Sequence, residues 1–281
     1  MAQFSVCLIQ PPGYVHSLAL LEVCHLLCFS LESLHQSCRF EVNRLEAGAN
    51  NIVVGYHLLT PDQIAPLAGQ QVIFYQLEQL PLREGWFTAD REAVLRAARA
   101  VWDYSPHNLE LLRARGFERL HHLPLGYHPK LKRIPHREES ARDIDVLFYG
   151  SMNARRAAVV DSLRARCRTQ VLFGVYGDSR DEYIARSRIV LNVHFYEAKI
   201  LEQVRLSYLL NNECFVLSEE AEQNPFLGAA ATGPYDQLAD LCRSYLAAPE
   251  SRRQIAAAGH RIIQDRPMVD HLRSALEALP Q

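Results

Sequence analysis

The chain has 281 residues, 48% of them apolar, which is enough for a real core and points to two α/β domains or one large one. Its net charge is −2, and the basic runs Lys130-Leu131-Lys132-Arg133 and Arg164-Ala165-Arg166-Cys167-Arg168 are too short to follow a phosphate backbone, so direct nucleic-acid binding is not expected. The opening MAQFSVCLIQPPG has no basic segment before its apolar run, and the most apolar stretch, Leu18 to Leu34, is broken by Glu22, His25 and Glu32. No export signal and no transmembrane segment are therefore expected, and the cytoplasm is the expected location.

Taken in order, short β-branched or aromatic runs alternate with longer helical patterns, the signal for parallel sheets covered by helices. In the first half the strands are expected at Phe4–Gln10, Phe40–Arg44, Asn51–Val54, Val72–Gln76, Ala100–Trp102 and Leu120–Pro124. Helices are expected from His16 to about His35, after Thr60-Pro61-Asp62, across Arg91–Arg99, and after Ser105-Pro106, where Ser105 can cap, Pro106 suits the first turn and Gly116 ends the helix. Prolines, charge and lost periodicity place a linker at about residues 126 to 143. Alternation resumes with the strand Ile144–Tyr149, a helix over Ala157–Arg166, the strand Gln170–Phe173 and a helix over Asp181–Ser187. The strand Ile189–His194, a helix over Lys199–Asn211, the strand Cys214–Ser218 and a polar tail of helices follow. The pattern predicts two Rossmann-like, doubly wound lobes facing a cleft, residues 1–130 and 131–281. Seven cysteines without a Cys-x-x-Cys pair read as free thiols, and Cys24, His25 and Cys28 read as buried groups, not zinc ligands, for want of a second ligand pair.

Ligands of open α/β sheets collect beyond the carboxyl ends of the strands, so those loops are where chemistry is sought. Tyr149 leads through Gly150, Ser151 and Asn153 into a helix whose first turn holds Arg155 and Arg156. Helix-start N–H groups beside guanidiniums make a cradle for a diphosphate; the alternative is an arginine pair on a solvated helix. The strand Val190–Val193 exits at His194, and the next helix carries Glu202 and Arg205 three apart, either a carboxylate for a ribose diol beside a cation or a structural ion pair. Glu78, Asp103, Tyr176 and Glu219 stand at other strand exits.

The chain resembles bacterial and phage-type GT-B glycosyltransferases in the strings GYVHSLALLE, YQLEQL, WDYSPHNLELLRARG and PLGYHPKL of its first half. DIDVLFYGSMNARR, LFGVYGDSRDEYIA, VLNVHFYE, EQVRLSYLLNN and VLSE carry the resemblance through the second. It spans about Gly13 to Glu219. It implies a nucleotide-sugar donor in the second lobe and a hydroxyl acceptor in the first. Gly150, Ser151, Asn153, Arg155 and Arg156 would hold the donor diphosphate, Glu202 the ribose, and Tyr176 the neighbourhood of the base, with His194 and Arg205 also on the donor side. Gly13, Tyr14 and Asp103 would line the acceptor side. Retaining members often show two glutamates separated by seven residues; here His194 stands where the first would be, so retention is not supported.

Inverting members often place a histidine just after the first strand, and His16 occupies that position. It is a candidate general base with a rival in Glu78, or else a helix-capping or substrate-positioning group. The expected activity is sugar transfer from a nucleotide diphosphate to a hydroxyl, with the leaving charge met by Arg155, Arg156 and the helix start and with neither metal nor cofactor. Two other outcomes remain open on the sequence: a two-lobed nucleotide-binding protein without turnover, and a nucleotide-sugar epimerase of the same fold.

Overall fold

A computed structural model of the chain describes residues 3–59, 63, 71–80, 87–195 and 201–279. It divides into two compact units, Met1–His128 with Arg266–Gln281, and Pro129–Asp265.

The first unit holds one parallel sheet built from β1 (Phe4–Leu8), β2 (Cys38–Val42), β3 (Asn50–Val54), β4 (Gln71–Gln76), β5 (Ala100–Asp103) and β6 (Leu120–His122), in the order β2-β1-β3-β4-β5-β6. Every residue of β1 is buried, as a strand covered on both faces requires, whereas the edge strand β2 leaves Phe40 and Val42 exposed. The helical segment expected from His16 is a 3-10 helix over Val15–Leu20 and becomes α1 only at Leu21–Ser33. Neither Tyr14 nor Leu20 offers a side-chain cap, so nothing at His16 nucleates an α-helical start. Among the described residues one helical stretch, Val15–Ser33, is long and apolar enough to cross a membrane by length and composition, yet 56% of it is buried inside the fold. Its apolarity has a local use, because α1 packs on β1 and β2. Next come α2 (Ala89–Arg96), capped by Thr88, and α3 (Pro106–Ala114), which starts and stops as its Ser105-Pro106 and Gly116 signals predict. The helix expected after Thr60-Pro61-Asp62 lies outside the described residues.

The second unit holds β7 (Ile144–Tyr149), β8 (Thr169–Leu172), β9 (Ser187–Asn192), β10 (Val216–Glu219) and β11 (Ala231–Gly233), all parallel, in the order β11-β10-β9-β7-β8. Its helices are α4 (Ala154–Arg164), α5 (Gly177–Arg186), α6 (Gln203–Asn211), α7 (Leu238–Leu246) and α8 (Pro249–Gln264). The first of these begins at Ala154 instead of the expected Ala157, because Asn153 caps it by accepting from Arg156 N at 2.9 Å. Val146, Phe148, Val160, Leu163, Ile189, Leu191 and Leu217 build the core between sheet and helices. The three residues of β11 are too few to show any periodicity in sequence.

The last helix, α9 (Met268–Glu277), departs from the expected division at residue 131: it packs against α1 in the first unit. Tyr127 N donates to Arg266 O at 2.8 Å and Met268 N to Tyr127 O at 2.9 Å, so the returning chain is pinned by a parallel bridge. Gly126 permits the crossing, since a Cβ there would stand 2.4 Å from Arg266 O. Much of the expected linker at 126–143 belongs to the second unit, where Arg133 N and Ile134 N both donate to Asn212 Oδ1 at 2.8 and 3.0 Å.

Candidate functional site

In the second sheet the strand order reverses between β7 and β9, the switch point beyond whose carboxyl ends ligands of open sheets bind. Gly150 follows β7; Asn192 ends β9 and His194 follows it. Of the site residues expected from sequence, Gly150, Ser151, Asn153, Arg155, Arg156, His194, Glu202 and Arg205 come together here. Gly150 has φ +128°, and a Cβ on it would lie 2.7 Å from Arg205 Nη2, so the guanidinium rests directly on the glycine. Arg205 donates from Nη1 to Asn192 Oδ1 at 2.7 Å and stacks over the Tyr149 ring at 5.0 Å. No hydrogen bond from its Nε or Nη2 is seen among the described residues. Two helices, α4 and α6, carry arginines in their first turns here, Arg155 and Arg156 on one and Arg205 on the other. A cation in the first turn opposes the helix dipole, so helix stability does not explain the placement.

The two arginines of α4 are engaged internally. Arg155 makes a two-pronged ion pair with the buried Glu219, donates to His194 O at 3.1 Å and stacks on Tyr235 with 4.0 Å to the ring centre. Arg156 is buried; it donates to Val193 O at 2.8 Å, Ser151 O at 2.8 Å and Glu202 Oε1 at 3.0 Å. Burial and the neighbouring Arg205 lower its pKa to about 10, so it stays charged. Asn153, besides capping α4, donates to Phe195 O at 2.7 Å. In this structure Arg155 and Arg156, expected to grip a diphosphate, hold carboxylates and carbonyls, and among the described residues Arg205 is the least engaged of the three guanidiniums, with one hydrogen bond.

Glu202 links the two sides. Its Oε2 accepts from Asn192 Nδ2 at 3.1 Å and from His194 Nδ1 at 2.9 Å, while Oε1 takes Arg156. Burial would raise this carboxyl, but the His194 bond and charge, with Arg205 and Arg156, outweigh it and hold it at about 2. His194 is 1% exposed and its Nε2 faces Glu220 O at 3.1 Å. Both ring nitrogens therefore face groups that can only accept, an arrangement that favours the doubly protonated imidazole. Burial disfavours that charge, yet Glu202 and Glu219 overcome it and raise the His194 pKa. Among the described residues the bonded cluster sets the guanidiniums of Arg155, Arg156 and Arg205, with His194, against Glu202 and Glu219, a surplus of positive charge suited to an anion. Tyr176 stands at the start of α5 on the loop after β8, half-buried, at the same edge of the sheet.

Around the carboxyl ends of the first sheet, Gly13 (φ +74°) and Tyr14 are exposed after β1, and His16 is half-buried with its ring edge-on to Tyr14 at 5.2 Å. After β3 comes His57, whose Nε2 lies 3.5 Å from Glu78 Oε1 at the exit of β4. Burial pushes His57 below its ordinary value, Glu78 pulling the other way and Arg91 adding to the drop, so a neutral imidazole faces a carboxylate. Asp103, expected to line the acceptor side, is fully buried instead. It accepts from Ser105 N at 2.7 Å, Asn108 Nδ2 at 3.1 Å and Gln76 Nε2 at 3.1 Å. Gln76 Oε1 and Asn108 Nδ2 in turn hold the Glu78 backbone at 2.6 and 2.9 Å, so Asp103 shapes the loop that presents Glu78.

Sequence reasoning missed Asn192, the pairing of Glu219, and His57. A polar residue inside the apolar strand IVLNV was the available signal for Asn192. It also passed over the one Asp-x-Asp string at this lobe's start, Asp143-Ile144-Asp145, which sits at the amino end of β7, the far end from Gly150. Asp143 is paired with Arg186, and Asp145 with Arg168 at 2.9 Å and Arg188 at 2.7 Å. Among the described residues no group of three or more His, Cys, Asp or Glu is placed to hold a metal ion.

No protein-family model matches the chain. A stretch of 105 residues is 27% identical to an uncharacterised protein of Acanthamoeba polyphaga mimivirus, covering 34% of this chain and 12% of that protein. Among solved structures the chain is similar to AviGT4, a glycosyltransferase involved in avilamycin A biosynthesis, at 13% identity and TM-score 0.57 over 99% of this chain and 98% of that one. It is similar to TarM at 10% identity and TM-score 0.55, over 82% of this chain but only 54% of TarM, so it spans about half of that protein's length. A structure described as a UDP-N-acetylglucosamine 2-epimerase, from Listeria monocytogenes, matches at 11% identity and TM-score 0.54 over 99% of this chain and 96% of that one. At such identities the likeness concerns fold. The chain has the GT-B type of architecture, mixed α/β with two Rossmann-like parallel-sheet units.

Proposed function

We propose that the chain is a nucleotide-sugar-dependent glycosyltransferase whose second unit binds the donor. The observation that carries this reading is Arg205: a guanidinium with one hydrogen bond among the described residues, seated on Gly150 at the switch point of the sheet beside the start of α4. Peptide N–H groups, the helix dipole and a planar two-pronged donor there suit the oxygens of a diphosphate, and the surplus positive charge suits the charge that develops on it as the sugar departs. Glu202, ionised and partly exposed, is the group for the ribose hydroxyls. Arg155, Arg156 and His194 act as positioning residues, the first two by holding Glu219 and Glu202, and the third by fixing Glu202. Transfer without a metal ion is part of the proposal, and activity abolished by EDTA and restored by manganese would contradict it.

In the first unit a hydroxyl acceptor loses its proton to a base as its oxygen attacks the anomeric carbon. His16 is the proposed base, and the His57–Glu78 pair is its rival, supported by a neutral imidazole beside a carboxylate.

Calorimetry with UDP, GDP, ADP and dTDP, followed by nuclear magnetic resonance of the corresponding nucleotide-sugars with an acceptor panel, tests the reading. Binding of a nucleoside diphosphate, weakened at least tenfold by Arg205→Ala, and release of free diphosphate with a glycosylated product are expected. An isomeric nucleotide-sugar without diphosphate release would replace transfer by epimerisation. Binding with no turnover would reduce the protein to a nucleotide-binding module.

A further inference from the structure

In the first unit, away from the groups used above, two thiols stand within reach of each other. Cys28 lies on the buried face of α1, and Cys38 opens the edge strand β2; their sulfurs are 3.5 Å apart. The chain between them leaves α1 through Leu34, whose N–H still bonds Ser30 O, and turns at His35 with φ +57°, so the reversal that returns the chain to β2 also brings the sulfurs together. Their environments differ. Cys28 is 9% exposed, whereas Cys38 is half-buried on a strand with no neighbour on its outer side.

We propose that Cys28 and Cys38 are a reversible thiol-modification site that closes to a disulfide, with Cys38 attacking the oxidant and Cys28 resolving the product. When Cys38 ionises, the Cys28 S–H can donate to it. Exposure sorts the pair into attacker and resolver: Cys38, on the edge strand, is the thiol an oxidant can reach, whereas Cys28 is buried, and the bond between them lowers the Cys38 pKa. With a small-molecule disulfide as oxidant, the Cys38 thiolate attacks one of its sulfurs and expels one thiolate, leaving a mixed disulfide. Cys28 then gives its proton to solvent and attacks the Cys38 sulfur, expelling the second thiolate. Two protein thiols are oxidised by two electrons, and one disulfide is reduced to two thiols. The sulfurs must close from 3.5 Å to about 2.05 Å, a small movement for a residue on an edge strand. The bond would tie α1 to β2, which flanks β1, the strand leading to Gly13 and His16. Of the other thiols, Cys7, Cys24, Cys214 and Cys242 are buried, and Cys167 lies against Leu163 O and Thr169 Oγ1, each at 3.4 Å.

The whole folded chain is incubated with oxidised glutathione, alkylated with iodoacetamide and digested unreduced with a glutamate-specific protease, which separates Val23–Glu32 from Ser33–Glu41. Mass spectrometry should find these two peptides joined, with dithiothreitol reversing the link and fragmentation placing it at Cys28, not Cys24. In Cys28→Ser the glutathione adduct on Cys38 should accumulate unresolved, and in Cys38→Ser the thiol of Cys28 should stay unmodified. The wild-type peptide map stands alone if either variant fails to fold. A wild-type adduct on Cys38 that never resolves, a link formed only after denaturation, or modification of Cys28 undiminished in Cys38→Ser would each overturn the proposal.

Discussion

His194 and Glu202 form a hydrogen-bonded ion pair, Nδ1 to Oε2 at 2.9 Å, in which the histidine is almost wholly buried and donates from its other nitrogen to Glu220 O. The Glu202 carboxyl is depressed to about 2, so its contribution to stability is present above the ordinary carboxylate range and is lost as pH falls toward 2. The His194 value is raised, so its contribution is complete below the ordinary histidine value of about 6.5 and is lost as pH rises through the higher folded value. The pair should therefore stabilise most between about pH 5 and 6.5. In thermal melts across pH 5 to 9, the advantage of the wild type over His194→Gln should shrink toward the alkaline end. A difference independent of pH would show that folding does not raise the His194 pKa.

Arg205 and Arg155 should fail in different ways. Arg205→Ala should cost about 1.5–3 kcal/mol of nucleoside-diphosphate binding by calorimetry, the worth of a charge-assisted contact, while the unfolding midpoint moves little. Arg155→Ala leaves Glu219 buried without its guanidinium and should cost about 3 kcal/mol of folding stability in urea unfolding.

Gly150→Ala should weaken diphosphate binding through sterics alone. The new methyl would meet Arg205 Nη2 at 2.7 Å in a backbone conformation with φ +128°, so the guanidinium must leave its seat. Affinity comparable to that of Arg205→Ala is the expected calorimetric result, and wild-type affinity would disconnect Arg205 from the ligand.

Gly126→Ala tests how the C-terminal helix is held. A methyl 2.4 Å from Arg266 O must push the crossing strands apart, at a cost of about 2 kcal/mol. Hydrogen exchange should accelerate over residues 266–279 and leave β7 to β10 protected.

Three substitutions separate the candidate bases. If His16 takes the acceptor proton, His16→Ala should suppress turnover about a hundredfold or more while nucleotide affinity stays intact, and Glu78→Gln should matter less. If the His57–Glu78 pair does so, His57→Asn should carry the loss in kcat, and Glu78→Gln should shift the pH profile of kcat.

The alternation of buried strands and capped helices was legible because each signal is local. Phe4–Leu8 and Ile144–Tyr149 read as strands from their own side chains, and Ser105-Pro106 marked the start of α3 within a few residues. Gly150, Arg205 and Glu202 could be named as neighbours in a candidate site because loops after parallel strands must gather at one edge of a sheet. Which groups bond there could not be read, since it depends on strand order: β10 beside β9 delivers Glu219 to Arg155 across 64 residues, occupying the guanidinium expected to bind phosphate. Likewise Asp103 sits at a strand exit in sequence, and only the packing of Gln76 and Asn108 around it turns it inward. The return of α9 rests on a backbone crossing between residues 127 and 266, far apart along the chain. The sequence by itself determined the elements, their alternation and the edge at which ligands collect. Tertiary structure decided which charges neutralise one another and which guanidinium of the three is least engaged, because ion pairing is settled by proximity in space, and proximity follows from sheet order and chain crossing.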